Sequence, residues 1–114
     1  RLAHEIVGRR PNVHLHFGDA LARKNELSPT VMAGWDELAG QFGCTRRKLV
    51  ANLPYVVATP VVSNLLLGDR PVERMVVMVQ WEIGERMRAA VGTKDYNSLS
   101  VLVQAVADVE LVRK

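Results

Sequence analysis

The sequence predicts an α/β fold: an open parallel sheet with helices packed on it. Three observations carry this expectation. The run Met75-Val76-Val77-Met78-Val79 is apolar without alternation, as expected of a parallel strand covered on both faces. Leu49-Val50-Ala51 is a second short apolar strand, and it runs straight into the turn Asn52-Leu53-Pro54-Tyr55. Helical spacing follows each strand, with Val61, Val62, Leu65 and Leu66 on one side of the first helix and Ile83, Met87 and Ala90 on one side of the second.

Composition narrows the possibilities. A chain of 114 residues holds at most one small domain. The formal charge of +3 suits an RNA partner, but many small domains are equally basic. The single cysteine, Cys44, excludes an intramolecular disulfide and a metal site built on several cysteines, and makes a cytoplasmic setting the default. It follows Gly43 in a connecting loop with no evident partner, so it reads as a bland thiol. No apolar run approaches the roughly 20 residues of a membrane span. Arg1-Leu2-Ala3-His4-Glu5 is not a signal peptide and starts inside a helical pattern, so the chain is expected to be a fragment. There are no repeats or low-complexity stretches.

Taken in order, Leu2, Ala3, Ile6 and Val7 recur at helical spacing and Gly8 ends the pattern, as in the tail of a helix. Pro11-Asn12 is a turn. Residues 13–17 alternate Val, Leu and Phe with His14 and His16, predicting a strand. The two histidines share its less buried face, and with no third ligand nearby a metal site is set aside. Gly18-Asp19 closes the strand, and two readings stay open. Gly18 allows close backbone approach and Asp19 can accept from an adenine amino group, or the pair is a plain β-turn. Residues 23–27 form a polar connection. Ser28 is expected to cap a helix with Pro29 at its first position, Val31, Trp35, Leu38 and Phe42 on one face, and Gly43 at its end. Trp35 therefore reads as core.

Thr45-Arg46-Arg47-Lys48 is the densest basic cluster, either meeting RNA phosphates or forming a solvated loop. Residues 48–51 form a strand. Thr59-Pro60 is expected to start a helix that Gly68-Asp69 ends, and Pro71 to break the chain. A strand over 74–80 and a helix over 81–91 follow, the latter with Glu82 and Arg86 placed to pair at i, i+4. Residues 92–97 are a polar loop, Ser98 caps a helix to about Val106, and 108–113 alternate as a final strand.

The chemistry concentrates at the tip of the strand over 48–51, where an open α/β sheet binds its ligands. The side-chain oxygen of Asn52 can accept from an exocyclic N–H. Pro54 stiffens the turn so that nearby carbonyls can point outward, and Tyr55 offers a face for stacking. Together they suit a flat, amine-bearing ring such as adenine. Its amine is a poor nucleophile because the lone pair is delocalised into the ring. Two acceptors on its hydrogens would localise that pair for attack on the methyl of a sulfonium donor, with the protein supplying position and electrostatics. An ordinary strand-to-helix turn accounts for the tetrapeptide equally well on its own.

The wider pattern resembles the ribosomal RNA adenine N6,N6-dimethyltransferases. It comprises Val50-Ala51-Asn52-Leu53-Pro54-Tyr55, Thr59-Pro60, Val79-Gln80-Trp81-Glu82 with Arg86, Tyr96, Leu99-Ser100-Val101 and Gln104. Upstream, His16-Phe17-Gly18-Asp19-Ala20-Leu21 resembles the family's strand end that reads the adenine of S-adenosylmethionine. The likeness runs from about Asn12 to the end. It implies an incomplete Rossmann-like methyltransferase sheet with flanking helices, lacking the first two strands and the C-terminal helical domain. It further implies a partial S-adenosylmethionine-dependent methyltransferase domain over 1–114, and adjacent adenosines near the end of small-subunit ribosomal RNA as substrate. Asn52 and Pro54 would grip the amine, Tyr55 would stack, Leu53 would shape the wall, and Asp19, Ala20 and Asn52 would face the donor. Family members commonly carry Lys at Trp81 and Gly at Asn97, which bears on the RNA face.

The resemblance also calls for a glycine-rich turn for the donor's methionine end and an acidic residue for its ribose, and neither is among these residues. The missing first strand would lie between 13–17 and 48–51. The fragment alone is therefore expected to be inactive, to bind the donor poorly and to self-associate through exposed strand edges. Two alternatives are a macrolide-resistance methylase of large-subunit RNA and a non-catalytic relative that binds RNA or assists assembly.

Overall fold

A computed structural model describes residues 1–70 and 72–114, so the expected break at Pro71 lies outside the described residues. The chain divides into two compact units, Arg1–Arg46 and Arg47–Lys114.

In the first unit, α1 (Leu2–Val7) ends at Gly8, whose N–H donates to the His4 carbonyl at 3.0 Å. Residues 13–17 do not form the expected strand. Phe17 is 73% exposed, so the Val-Leu-Phe alternation does not meet a core, and no strand among the described residues offers it a ladder. The stretch read as a polar connection is instead a small antiparallel hairpin, β1 (Leu21–Arg23) and β2 (Glu26–Leu27). Arg23 and Glu26 sit opposite each other there and pair at 3.6 Å.

The helix α2 (Pro29–Gln41) follows, with Ser28 as its cap residue and proline at its first position. The Ser28 hydroxyl makes no capping bond; its backbone N–H donates to the Ala20 carbonyl at 2.7 Å and ties the hairpin to the helix start. At the other end Phe42 is the cap and Gly43 follows it at φ +61°. The Cys44 N–H reaches the Ala39 carbonyl at 2.8 Å and the Gly43 N–H the Gly40 carbonyl at 3.4 Å, the double closure of a Schellman motif. Only glycine holds that left-handed φ cheaply. Trp35 is half-buried.

The second unit is a strand–helix–strand followed by two helices. Strands β3 (Arg47–Asn52) and β4 (Val72–Met78) pair in parallel, with Leu49 opposite Met75 and Asn52 opposite Met78. The helix between them, α3 (Tyr55–Leu67), begins at Tyr55, four residues before the expected Thr59-Pro60. Pro54 serves as its cap residue, and Pro60 sits inside the second turn, where its carbonyl accepts from Asn64 Nδ2 at 2.7 Å. The helices α4 (Trp81–Arg88) and α5 (Ser98–Val106) complete the unit.

One core holds these elements together. Ala58 and Val62 of α3, Ile83 and Met87 of α4, and Leu99 and Val103 of α5 are buried against Leu53, Met75 and Val79 from the strands and their ends. All three helices therefore cover one sheet face. On the other face Val50 is 81%, Val76 50% and Met78 67% exposed, so β4 is not covered on both sides as its apolar run suggested. Burying those three would stabilise by about 25 cal/mol per Å² of apolar surface, which nothing within this unit supplies.

Three end points differ from the sequence reading. The helix α4 stops at Arg88 because Ala89 turns extended, which puts Ala89 rather than Ala90 in the buried position. The cap of α5 is Asn97, not Ser98: Asn97 Oδ1 accepts from the N–H groups of Leu99 (3.0 Å) and Ser100 (3.3 Å), and Ser100 Oγ accepts from the Asn97 N–H at 3.1 Å. Residues 108–113 form no strand, since Val109, Leu111 and Val112 stay exposed with no ladder partner among the described residues.

Ser100, fully buried, also donates its hydroxyl proton to the Arg86 carbonyl. Gln104, one turn on, donates from Nε2 to the carbonyls of Met87 (3.0 Å) and Ala89 (2.8 Å). The last carbonyls of a helix have no partner within it; here side chains of α5 supply one for the end of α4. On α4 itself the ion pair joins Glu85 to Arg88 at 3.0 Å rather than Glu82 to Arg86. No helix among the described residues is long and apolar enough to cross a membrane.

Ser100→Ala is expected to destabilise the chain by about 1–3 kcal/mol, because it strips the Arg86 carbonyl and the Asn97 N–H of a buried partner. Glu85→Ala should cost less than about 1 kcal/mol, as its pair is partly exposed. Urea unfolding midpoints of the two variants measure the contrast.

Candidate active site

The parallel ladder extends one bond past β3, with the Leu53 N–H donating to the Met78 carbonyl at 2.9 Å. That bond pins the turn to the end of β4. Leu53 is half-buried against the core, which fixes the turn from below. Pro54 then takes φ −58° and ψ 151°, an extended cap conformation that its ring favours, and α3 starts at the next residue.

Anchoring Leu53 leaves its neighbours facing out. Asn52 is exposed, and among the described residues no hydrogen bond engages its carboxamide. Tyr55 is 54% exposed on the first turn of α3. The structure thus leaves an open amide at the end of β3 and an open phenol ring at the start of α3, three residues apart in the sequence.

The carbonyls of the turn differ in what they are free to do. The Pro54 carbonyl accepts from the N–H groups of Val57 (3.1 Å) and Ala58 (3.0 Å), which uses both of its lone pairs. The Leu53 carbonyl has no backbone donor among the described residues. An incoming amine would therefore find its acceptors in Asn52 Oδ1 and the Leu53 carbonyl rather than in Pro54.

Asp19 and Ala20 belong to the first unit and are exposed, just before β1. Gly18 before them takes φ +148°, a conformation that glycine permits, and the Ala20 carbonyl is tied to the Ser28 N–H. His14 packs on Gly34 of α2 so closely that a Cβ there would lie 2.8 Å from its ring. Among the described residues no three of His, Cys, Asp and Glu gather to hold a metal.

Two features went unread in the sequence. Asn97 and the pair Ser100 and Gln104 act as caps, which the S-L-S pattern after an asparagine could have signalled as a capping box. Trp81 begins α4 as Tyr55 begins α3, each three residues past an in-register strand pair, a signal visible once Asn52 and Met78 are aligned.

Comparison with known proteins gives one family. The family model described as ribosomal RNA adenine dimethylase matches residues 35–114. A ribosomal RNA small subunit methyltransferase A from Clostridioides difficile strain 630 is 55% identical over 67 residues, covering 59% of this chain and 23% of the relative. The protein of that name from Clostridium perfringens strain SM101 is 49% identical over 67 residues, covering 59% and 24%. That from Staphylococcus epidermidis strain ATCC 35984 is 51% identical over 61 residues, covering 54% and 21%. The chain spans about a quarter of the length of these relatives. No solved structure matches it.

Asn52→Ala and Tyr55→Ala should each leave the unfolding free energy from urea titration within about 0.5 kcal/mol of the parent, since neither side chain is buried or bonded among the described residues. Leu53→Ala should cost more than about 1 kcal/mol, because it removes packing from under the turn.

Proposed function

The chain belongs to the ribosomal RNA adenine dimethylase family, and on that premise we propose that it is the amine-holding part of an S-adenosylmethionine-dependent ribosomal RNA adenine N6,N6-dimethyltransferase. The activity is that of the longer protein, acting in the cytoplasm on adjacent adenosines near the end of small-subunit ribosomal RNA. The names of the relatives favour the small-subunit substrate over the large-subunit one of the macrolide-resistance methylases. The observation that carries the reading is the pair of unengaged groups at the tip of β3: the Asn52 carboxamide and the Tyr55 ring, both open to solvent.

In this reading Asn52 Oδ1 and the Leu53 carbonyl each accept one hydrogen of the adenine amine. The two bonds hold the nitrogen pyramidal and aim its lone pair away from the ring. Tyr55 stacks on the base, a contact worth about 1–3 kcal/mol per base in nucleic-acid sites. Pro54 keeps its own carbonyl in the helix and so leaves the Leu53 carbonyl as the acceptor. Because the turn is fixed by the Leu53–Met78 bond before any base arrives, little reorganisation is needed when it does.

S-adenosylmethionine, when bound, supplies the electrophilic methyl on a sulfonium. Within the first unit the residues suit its adenine in kind: Asp19 offers a carboxylate with no protein partner among the described residues, and Ala20 a backbone N–H beside it; within the second, Asn52 offers an amide. By itself the 114-residue chain would be inactive and would pair with copies of itself through the open sheet, where Val50, Val76 and Met78 stand exposed.

In the full-length protein, Asn52→Ala should lower methyl transfer from labelled donor to small-subunit ribosomal RNA by about 10²–10³-fold, the usual cost of losing one oriented polar group at a reacting centre. Tyr55→Phe should retain most activity and Tyr55→Ala should not. An unaltered rate in Asn52→Ala overturns the reading. For the chain alone, sedimentation at micromolar concentration should give a dimer or larger species that Val50→Lys returns to monomer; a parent that stays monomeric removes the self-association.

A further inference from the structure

Trp81 holds at the end of β4 the place that Tyr55 holds at the end of β3. Asn52 and Met78 are paired in register, and Tyr55 and Trp81 each lie three residues beyond them. Both are first residues of helices, and both follow a cap residue of the same backbone shape: Pro54 at φ −58°, ψ 151° and Gln80 at φ −58°, ψ 146°. Their helices pack on the same sheet face through one core. Neighbouring strands run about 4.8 Å apart and neighbouring helices about 8–10 Å apart, a spacing that two splayed consecutive bases of a single strand can bridge.

Trp81 is not a core residue. It is 39% exposed and lies outside the buried cluster that Ile83 and Met87 join from the same helix. One ring face is open enough that the Lys114 ammonium rests 4.2 Å from the ring centroid. An indole face that accepts a cation in this way also accepts a nucleobase, and the displaced ammonium is then at hand for that nucleotide's phosphate.

We propose that Trp81 is a second stacking position, taking the base next to the target adenosine in a single-stranded RNA segment, with Tyr55 and Trp81 flanking one sheet edge as a two-base platform. The proposal deepens the adenine-site reading above and rests on it. It gives the turn a means of selecting an unpaired dinucleotide: stacking on every π-face tolerates any base at the second position, while the Asn52 acceptor demands an amine at the first.

The test uses the 114-residue chain with Trp35→Phe, which leaves Trp81 as its single tryptophan. The probe is a fluorescein-labelled six-nucleotide RNA containing two adjacent adenosines. Anisotropy reports binding and Trp81 emission reports stacking. The expected result is quenching of Trp81 that saturates together with anisotropy. Trp81→Ala should weaken binding about 5- to 100-fold, one stacked base's worth, and Trp81→Phe should largely restore it. If the RNA binds and Tyr55→Ala weakens it while Trp81 emission stays constant, the second platform is wrong and the adenine site stands. If anisotropy shows no RNA binding at all, the two-base platform fails, while the adenine site is decided separately by methyl transfer in the full-length Asn52→Ala variant. The emission readout decides the matter even should Trp81→Ala not fold.

Discussion

The level pairing of two parallel strands is the constraint on which the rest of this structure depends. Asn52 lies opposite Met78, and the Leu53 N–H adds one more bond to the Met78 carbonyl before the chains part. A slip of one residue would turn every side chain of β3 to the other face. Leu53 would then leave the core and Asn52 would enter it, an amide buried without a partner. The register that keeps Leu53 half-buried is thus the same register that leaves Asn52 free to bind.

The clamp between α5 and α4 supports that arrangement from the opposite end. Ser100 and Gln104 meet the carbonyls of Arg86, Met87 and Ala89, groups that would otherwise sit unpaired where α4 turns extended. Since α4 begins at the sheet edge with Trp81, holding its last turn holds its first. The residues that recur in the family likeness therefore divide by task. The Asn52 and Tyr55 side chains at the tip of β3 are open and unengaged, whereas Ser100 and Gln104 on α5 are bonded to the end of α4. Asn97 fits the second group: its side chain caps α5 twice, which a glycine there would leave to solvent.

What could be read in the sequence was whatever depends on local chemistry. The strand into Asn52, the stop at Gly43 and the helix over Ser98–Val106 all follow from near neighbours in the chain. What could not be read depended on partners far away in sequence. Residues 13–17 and 108–113 have the alternation of strands but no ladder to join, so alternation alone did not make them strands. The apolar run of β4 implied cover on both faces, yet composition carries no information on whether a second layer is present, and Val76 and Met78 stand exposed. The start of α3 was misplaced because Pro60 looked like a first-turn proline, whereas Pro54 had already set the cap. At the site, the tetrapeptide singled out Asn52, Leu53, Pro54 and Tyr55, but only the bonds from Val57 and Ala58 show that the Pro54 carbonyl is occupied and that of Leu53 is not.

That reassignment follows from how a helix begins. The cap residue's carbonyl is the first acceptor of the helix, so it is spent on the fourth N–H along and turned down the axis. The carbonyl one residue earlier belongs to neither the helix nor the ladder unless a neighbouring strand donates to it. At the end of a parallel strand whose partner also leaves for a helix, that donor is missing. An extended residue between ladder and cap therefore presents an unengaged carbonyl beside the last side chain of the strand. In this chain those two groups are the Leu53 carbonyl and the Asn52 amide, so a strand end followed by proline supplies paired acceptors from backbone geometry, with only one side chain needing to be chosen for the purpose.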